Sequence, residues 1–288
     1  MRVTNSMLIN TVLRDLNNNM SKMSKSQEQL SSGRRINRPS DDPVGIVSSL
    51  RLRTSLTELS QYKSNAQDAS SWLDTTDQAL DESGSILQRI RELAVGAAND
   101  YLTQTERDAI YKEVDQLRLQ LVSVGNATYA GKFIFSGTQT QTASFNDTGV
   151  YQGNTGVINY EVAIGVQIPI NVDGTTAFGN AFTAVNQFLN HLTTGDVTDI
   201  TADIGQLDLA INNQLEVRAD IGAKVNRLEL AINRMDADNV NLTALLSKTE
   251  DVDMAELITK LKMQESVYNS SLSAGARMVQ PTLMDFLR

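Results

Sequence analysis

From Ile200 to Thr249 the chain repeats in alternating steps of four and three residues. The series reads Ile200, Ile204, Leu207, Ile211, Gln214, Arg218, Ile221, Val225, Leu228, Ile232, Met235, Asn239, Leu242, Leu246 and Thr249. That is a heptad stripe over 50 positions, interrupted by polar residues at Gln214, Arg218, Asn239 and Thr249. An α-helix of that length runs about 75 Å at about 1.5 Å per residue. Its apolar stripe is too narrow to bury itself, so the helix must lie against other helices or against neighbouring chains.

Three more segments keep the same period. Ile9, Leu13, Leu16, Met20, Met23, Gln27 and Leu30 make the first stripe, and Leu73, Thr76, Leu80, Ser83, Leu87, Ile90, Ala94 and Ala97 the second. Ile110, Val114, Leu117, Leu121, Val124 and Thr128 make the third, and Thr103 with Glu106 supplies a capping box for its helix after a break at Asn99-Asp100. A last helix is expected after Asp253, with Glu256 as its box partner, running through Met254, Ile258, Leu261, Tyr268 and Leu272. The acids Glu250, Asp251 and Asp253 crowd the start of that helix, where its dipole favours negative charge.

Between Tyr129 and about Phe182 the helical period fades. Ile158, Tyr160, Val162, Ile164, Val166, Ile168, Ile170 and Val172 occupy every even position, a period of two that predicts strand. Gly165 is placed to turn the run into a hairpin and Pro169 to lie on an edge. With the Phe133 to Gly137 run, this reads as a small β domain set into a helical rod.

Charge is segregated along the chain. Residues 1–63 hold ten Lys+Arg and five acids, a net of +5, whereas residues 129–220 hold two basic and nine acidic residues, a net of −7. The whole chain of 288 residues stands at −9, a poor match for general nucleic-acid binding. There is no Cys, which excludes disulfides, thiolate metal sites and cysteine nucleophiles, and the single His191 excludes a two-histidine metal site. Met1 to Leu16 interleaves polar and apolar residues, unlike the continuous apolar stretch of a signal peptide, and no 18-residue apolar run occurs elsewhere.

The remaining chemical motifs are weak. Ser60-Gln61-Tyr62-Lys63 fits Ser-x-x-Lys without its companion motifs. Asp236-Ala-Asp238 opens like a calcium loop but lacks the glycine and closing glutamate, and it lies inside the longest heptad run. His191 is expected in a Gly- and Thr-rich loop, and Trp72 beside Leu73 in the core. Arg34, Arg35 and Arg38 form one compact basic cluster without interleaved aromatics, as a salt-bridged turn would. No catalytic residue, cofactor or metal is expected.

The stretch Leu30-Ser-Ser-Gly33-Arg-Arg-Ile36-Asn37-Arg38-Pro-Ser-Asp41-Asp42-Pro43 reads as a helix ending at Gly33, a turn over Asn37 to Ser40, and a new helix with Pro43 near its start behind an acidic cap. It also closely resembles the signature of the bacterial flagellin superfamily. Leu50-Arg-Leu-Arg53, Trp72-Leu73, Asn126 followed by Gly131-Lys-Phe-Ile-Phe-Ser-Gly137, Tyr151-Gln-Gly153 and Gln280-Pro-Thr-Leu283-Met-Asp285-Phe-Leu287 extend the resemblance over essentially the whole chain. The Arg-Pro-Ser-Asp-Asp-Pro version looks like the branch that joins hook to filament, since flagellins usually place Ala or another small residue where this chain has Pro43.

The resemblance implies a mainly α fold, a long antiparallel helical coiled-coil rod formed by both chain ends with a small inserted β domain. The domains expected are 1–40 with 249–288 for assembly, 41–130 with 195–248 as helical rod, and 131–194 as the β-rich insert. It implies a structural adaptor at the hook–filament junction, secreted through flagellar type III export after a transient cytoplasmic stage. Its partners would be a hook-side hook-associated protein, flagellin, copies of itself, and a cytoplasmic export chaperone bound through the C-terminal helix, with no nucleic acid and no membrane. A self-polymerising flagellin is the second reading, and a type III needle-tip or translocator-like protein the third. The expected assembly residues are Leu13, Leu16, Met20, Met23 and Leu30 with Leu257, Leu261, Leu272, Leu283 and Leu287. Gly33, Arg34, Ile36, Asn37, Asp41 and Asp42 form the expected domain-junction motif. Lone 25–30-residue helices with broken stripes are marginal in water, so both ends are expected to be disordered in the monomer and to fold on assembly.

Overall fold

A computed structural model describes residues 5–99, 101–194 and 197–279. The protein is mainly α-helical: α1 (Asn5–Ser32), α2 (Pro43–Ala97), α3 (Gln104–Gly125), α4 (Gly174–Thr194), α5 (Val197–Glu250) and α6 (Met254–Val279). Between α3 and α4 lie four short strands, β1 (Thr128–Tyr129), β2 (Lys132–Phe133), β3 (Asn159–Ala163) and β4 (Val166–Pro169), paired as two antiparallel hairpins. The chain divides into two compact units, residues 1–57 with 238–288 and residues 58–237.

The larger unit, 58–237, is built on the heptad stripes. Every position of the α2 stripe from Leu73 to Ala97 is buried, and along α5 Ile200, Leu207, Gln214, Ile221, Leu228 and Met235 are buried while the positions between them are half-buried. The helices run antiparallel, as four cross-links show: Lys63 to Asp236, Asp77 to Arg218 at 2.9 Å, Ser83 to Gln214 at 2.5 Å and Arg91 to Asp208 at 2.5 Å. Two polar breaks of the stripes thus meet each other, because Gln214 donates to Ser83 inside the seam. Arg218 turns out to Asp77 and Asp81, at 2.9 and 2.6 Å. Such rim pairs add little energy individually, about 0–1 kcal/mol, but they oppose any slip of the helices along the seam.

α3 folds back on α2, with Arg89 on Glu113 at 2.8 Å and Gln120 donating to Glu82. Its N-terminus carries the expected capping box, Thr103 accepting from the Glu106 N–H while the Glu106 carboxylate accepts from the Thr103 N–H at 2.7 Å.

The insert packs by aromatic residues. Phe135, Phe145, Phe178 and Phe182 cluster with ring centroids 4.8–6.1 Å apart, and Tyr151 joins them beside Phe145. Gly137 has φ +67°, and a Cβ there would overlap the Asn154 carbonyl. The β3–β4 hairpin turns at Ile164-Gly165, as the glycine predicted. The period of two does not run unbroken through it. Val162, Ile168, Ile170 and Val172 are buried, but Ile164 sits in the turn and is 80% exposed, and the register shifts between Glu161 and Ala163.

Two expectations need correction. Residues from Gly174 are helix rather than part of the region of low helix content, and His191 lies in the last turn of α4 rather than in a loop. The physical reason is a short apolar face, Ala177, Phe178, Ala181, Val185, Phe188 and Leu192, all buried, which the neighbouring glycines and threonines obscure in the sequence. Asp173 caps this helix by accepting from the Thr176 N–H at 3.0 Å.

Leu80 is fully buried in the α2–α5 seam. Leu80→Ala should lower the stability of the larger unit by about 2–5 kcal/mol, read as a drop in the midpoint of denaturant unfolding. Leu215→Ala, on an exposed side chain of α5, should leave that midpoint nearly unchanged.

Candidate assembly interface

Within the smaller unit the 33–45 turn is a clasp made of side chain to backbone hydrogen bonds. α1 ends at Ser32 because Gly33 takes φ +70°, a left-handed conformation that closes the helix, and its N–H bonds to the Gln29 carbonyl. Asp41 accepts from the N–H groups of Asn37 and Arg38, at 3.2 and 3.0 Å, and pairs with Lys25 at 2.8 Å. The Lys25 ammonium, followed by the Arg38 N–H, holds the Asp41 carboxyl below its usual range. Asp42 caps α2 by accepting from Gly45 N–H at 2.9 Å, which lowers its carboxyl pKa too. Ile36 is buried beneath the turn, 2% exposed.

The clasp closes on the last residue of α5. The Glu250 side chain is 5% exposed and is met by Arg34 at 3.2 Å, by Arg53 at 2.5 Å and by Ser49, which donates to it at 3.0 Å. The backbone joins in: Arg35 N–H donates to the Glu250 carbonyl at 2.6 Å and Val252 N–H to the Gly33 carbonyl at 3.2 Å. Burial pushes the Glu250 carboxyl up, but hydrogen bonds from Arg53 and Ser49 and the charges of Arg53 and Arg34 outweigh it and leave the pKa lowered. Glu250 therefore does not serve the N-terminus of α6, as its place in the acidic run suggests. Asp253 caps that helix, accepting from the Ala255 and Glu256 N–H groups. The pairing of Glu250 with Arg34 and Arg53 has no local signal, since its partners lie about 200 residues away.

All three arginines of the basic cluster are salt-bridged, Arg34 to Glu250, Arg35 to Asp42 at 3.5 Å and Arg38 to Glu28 at 3.0 Å.

α1 and α6 pack on one another antiparallel, so closely that a Cβ on Gly275 would stand 3.1 Å from Val12. One partner helix is too little to cover either stripe. Leu13, Met20 and Leu272 remain 54%, 53% and 43% exposed, and Leu16, Met23, Leu30 and Leu261 are half-buried. Leu257 is 4% exposed and already packed within the chain, while Leu283 and Leu287 lie outside the described residues. A groove of about 470 Å³ between the two helices is lined by Ile9, Val12, Leu13, Leu16, Leu272, Gly275 and Ala276.

Groups able to do chemistry are committed elsewhere. Lys63 of the Ser-x-x-Lys match pairs with Asp236, which also takes one acid from the calcium-like Asp236-Ala-Asp238. In the larger unit His191 Nδ1 lies 2.7 Å from Asp203 Oδ2. Burial raises the Asp203 pKa, and His191 opposes that rise. Among the described residues no group of three or more His, Cys, Asp or Glu is placed to hold a metal ion, and no helix is long and apolar enough to cross a membrane.

A family model of the bacterial flagellin N-terminal helical region matches residues 3–140, and one of the flagellin C-terminal helical region matches residues 204–287. The chain is also 34% identical to the flagellin of Bacillus subtilis, over 96% of this chain and 94% of that one. It belongs to the bacterial flagellin family. Its relatives within that family include flagellar hook-associated protein 3 of Escherichia coli, 27% identical over 96% of this chain and 97% of that one. Solved structures with the same fold include Bacillus cereus FlgL, with a TM-score of 0.61 and 22% identity over 68% of this chain and 99% of that one. The flagellar hook-associated protein-3 of Legionella pneumophila has a TM-score of 0.63 at 17% identity, over 68% and 97% of the two chains. The 33–42 turn that clasps Glu250 lies within the N-terminal match, and the terminal helices of the two matches carry the uncovered apolar stripe.

Glu250→Gln in this flagellin-family chain should cost about 1–3 kcal/mol, because the two arginines lose their buried carboxylate partner. The folded-state pKa of Glu250 is depressed, so its contribution is complete above the ordinary glutamate value of 4.5 and fades as the pH falls below it. The difference in thermal midpoint between wild type and variant should therefore be largest near neutral pH and shrink in acid.

Proposed function

We propose that this chain is the structural adaptor at the hook–filament junction, binding hook-side and filament subunits by helical packing and catalysing nothing. The observation that carries the reading is the α1–α6 pair, whose Leu13, Met20 and Leu272 stay exposed although they lie on heptad stripes. Exposed heptad positions in a folded chain mark the surface that neighbouring subunits cover. The Arg38-Pro-Ser-Asp-Asp-Pro43 turn supports the junction role over the filament role. The identity to Bacillus subtilis flagellin favours the second reading, a self-polymerising filament subunit. Family membership favours both over a needle-tip protein.

On this reading residues 1–40 with 249–288 form the assembly domain, 41–130 with 195–248 the helical rod domain and 131–194 the small β-rich insert. Leu13, Leu16, Met20, Met23, Leu30, Leu261 and Leu272 face neighbouring subunits, and Leu257 anchors α6 inside its own chain. The C-terminal helix is held by an export chaperone in the cytoplasm until secretion. Since among the described residues α1 and α6 pack chiefly on each other, their pairing is weak in the free monomer and consolidated by assembly.

Purified protein mixed with precipitant salt, with and without filament seeds, separates the two flagellar readings. The adaptor should stay soluble alone and sediment with hook-side or filament partners. Long filaments of this protein alone would overturn the junction role. In limited proteolysis of the monomer, cleavage should begin in α1 and α6 while residues 58–237 persist; equal resistance throughout would contradict a weakly paired terminus.

A further inference from the structure

Sulfur is distributed unevenly along this chain. There is no Cys, and eight of the nine Met lie in the smaller unit, whereas the larger unit has Met235 alone. Met235 is on the α5 stripe and only 6% exposed. Met20 and Met23 take two successive positions of the α1 stripe, Met20 at 53% exposure and Met23 half-buried. The stripe position that follows them is already polar, Gln27.

In a chain without thiols, the thioether of Met is the group that a peroxide oxidises most readily, and exposure decides which thioether reacts first. The sulfur lone pair takes one oxygen from hydrogen peroxide and the O–O bond breaks. Sulfur loses two electrons to the departing oxygen, which leaves with both protons as water, so thioether and peroxide become sulfoxide and water. The sulfoxide oxygen is a polar acceptor, costly to bury without a donor. Sulfoxides at 20 and 23 would join Gln27 in three successive polar positions, and no apolar stripe residue would remain between Leu16 and Leu30. That gap spans about 21 Å at about 1.5 Å per residue. Leu at both positions would supply similar apolar volume. Met supplies an apolar surface that can be withdrawn and restored, since sulfoxides are reduced back enzymatically.

We propose that Met20 and Met23 form a redox-modification site, at which oxidation by hydrogen peroxide reversibly switches off the packing face of α1. The proposal rests on the assembly reading above and adds its regulation. The larger unit is spared because its one thioether is shielded by the α5 seam.

The test treats the full-length chain with hydrogen peroxide, locates the added oxygen by peptide mass spectrometry and measures co-sedimentation with filament seeds and with a hook-side hook-associated protein. Met20 should gain oxygen first and Met23 next, with Met235 unmodified. Oxidised wild type should bind partners about tenfold less than the untreated chain. Methionine sulfoxide reductases with dithiothreitol should restore binding, and dithiothreitol alone should not. Two variants locate the effect, each compared with its own untreated sample. Met20→Leu/Met23→Leu should bind equally before and after peroxide, whereas Met7→Leu/Met254→Leu/Met263→Leu, at three exposed methionines off the stripe, should lose binding on oxidation as wild type does. Limited proteolysis should leave residues 58–237 as persistent in the oxidised chain as in the untreated one. Wild type that carries both sulfoxides and binds as before, peroxide that oxidises other methionines but neither Met20 nor Met23, or a Met20→Leu/Met23→Leu chain that still loses binding would overturn the proposal and leave the assembly reading intact. Untreated wild type that binds no partner would overturn both.

Discussion

Helices with narrow apolar stripes can be stable only against other helices, and this constraint shapes both units of the protein. In the larger unit it is met within the chain. The α2 and α5 stripes close on each other with Leu73, Leu80, Leu87 and Ile90 fully buried, and α3 covers a second side of α2. In the smaller unit the same constraint is met only in part, because α1 and α6 are one pair and leave a face of each uncovered. The contrast separates a region whose stripes are covered within the chain from one whose stripes stay partly exposed.

Polar residues in these seams specify the arrangement. Gln214 on Ser83 and Arg218 on Asp77 and Asp81 set the register of α5 against α2, as single polar positions do in coiled coils. Glu250 does similar work in the other unit. A carboxylate buried among Arg34, Arg53 and Ser49 is costly to displace, so it fixes where the 33–45 turn meets the end of α5. Physically this turn is a glycine that ends a helix, two aspartates that cap and brace, and an arginine that reaches a distant acid.

Two forces of different range are built into this chain. Apolar stripes act only at contact and are indifferent to direction. The smaller unit carries a net charge of +3 and the larger one a net charge of −12, and such charge acts over several ångströms before contact.

Periodicity and capping chemistry are local, so the sequence by itself determined the helices and their ends: the stripes of α2, α3 and α5, the Thr103–Glu106 box, the Gly33 stop, the start of α2 at Pro43 and the hairpin turn at Gly165. The motif around residue 33 was legible for the same reason, since its turn chemistry lies within ten residues. Tertiary structure alone decided which polar breaks meet, Gln214 with Ser83 and Arg34 with Glu250, because pairing across 131 or more residues leaves no local trace. It also decided that Gly174–Thr194 is a helix, whose short apolar face is stabilised by the Phe135 and Phe145 cluster rather than by its own propensity. And it divided the expected assembly residues, leaving Leu13 and Met20 exposed while burying Leu257, because burial depends on what lies opposite a side chain and the stripe alone records only which way it faces.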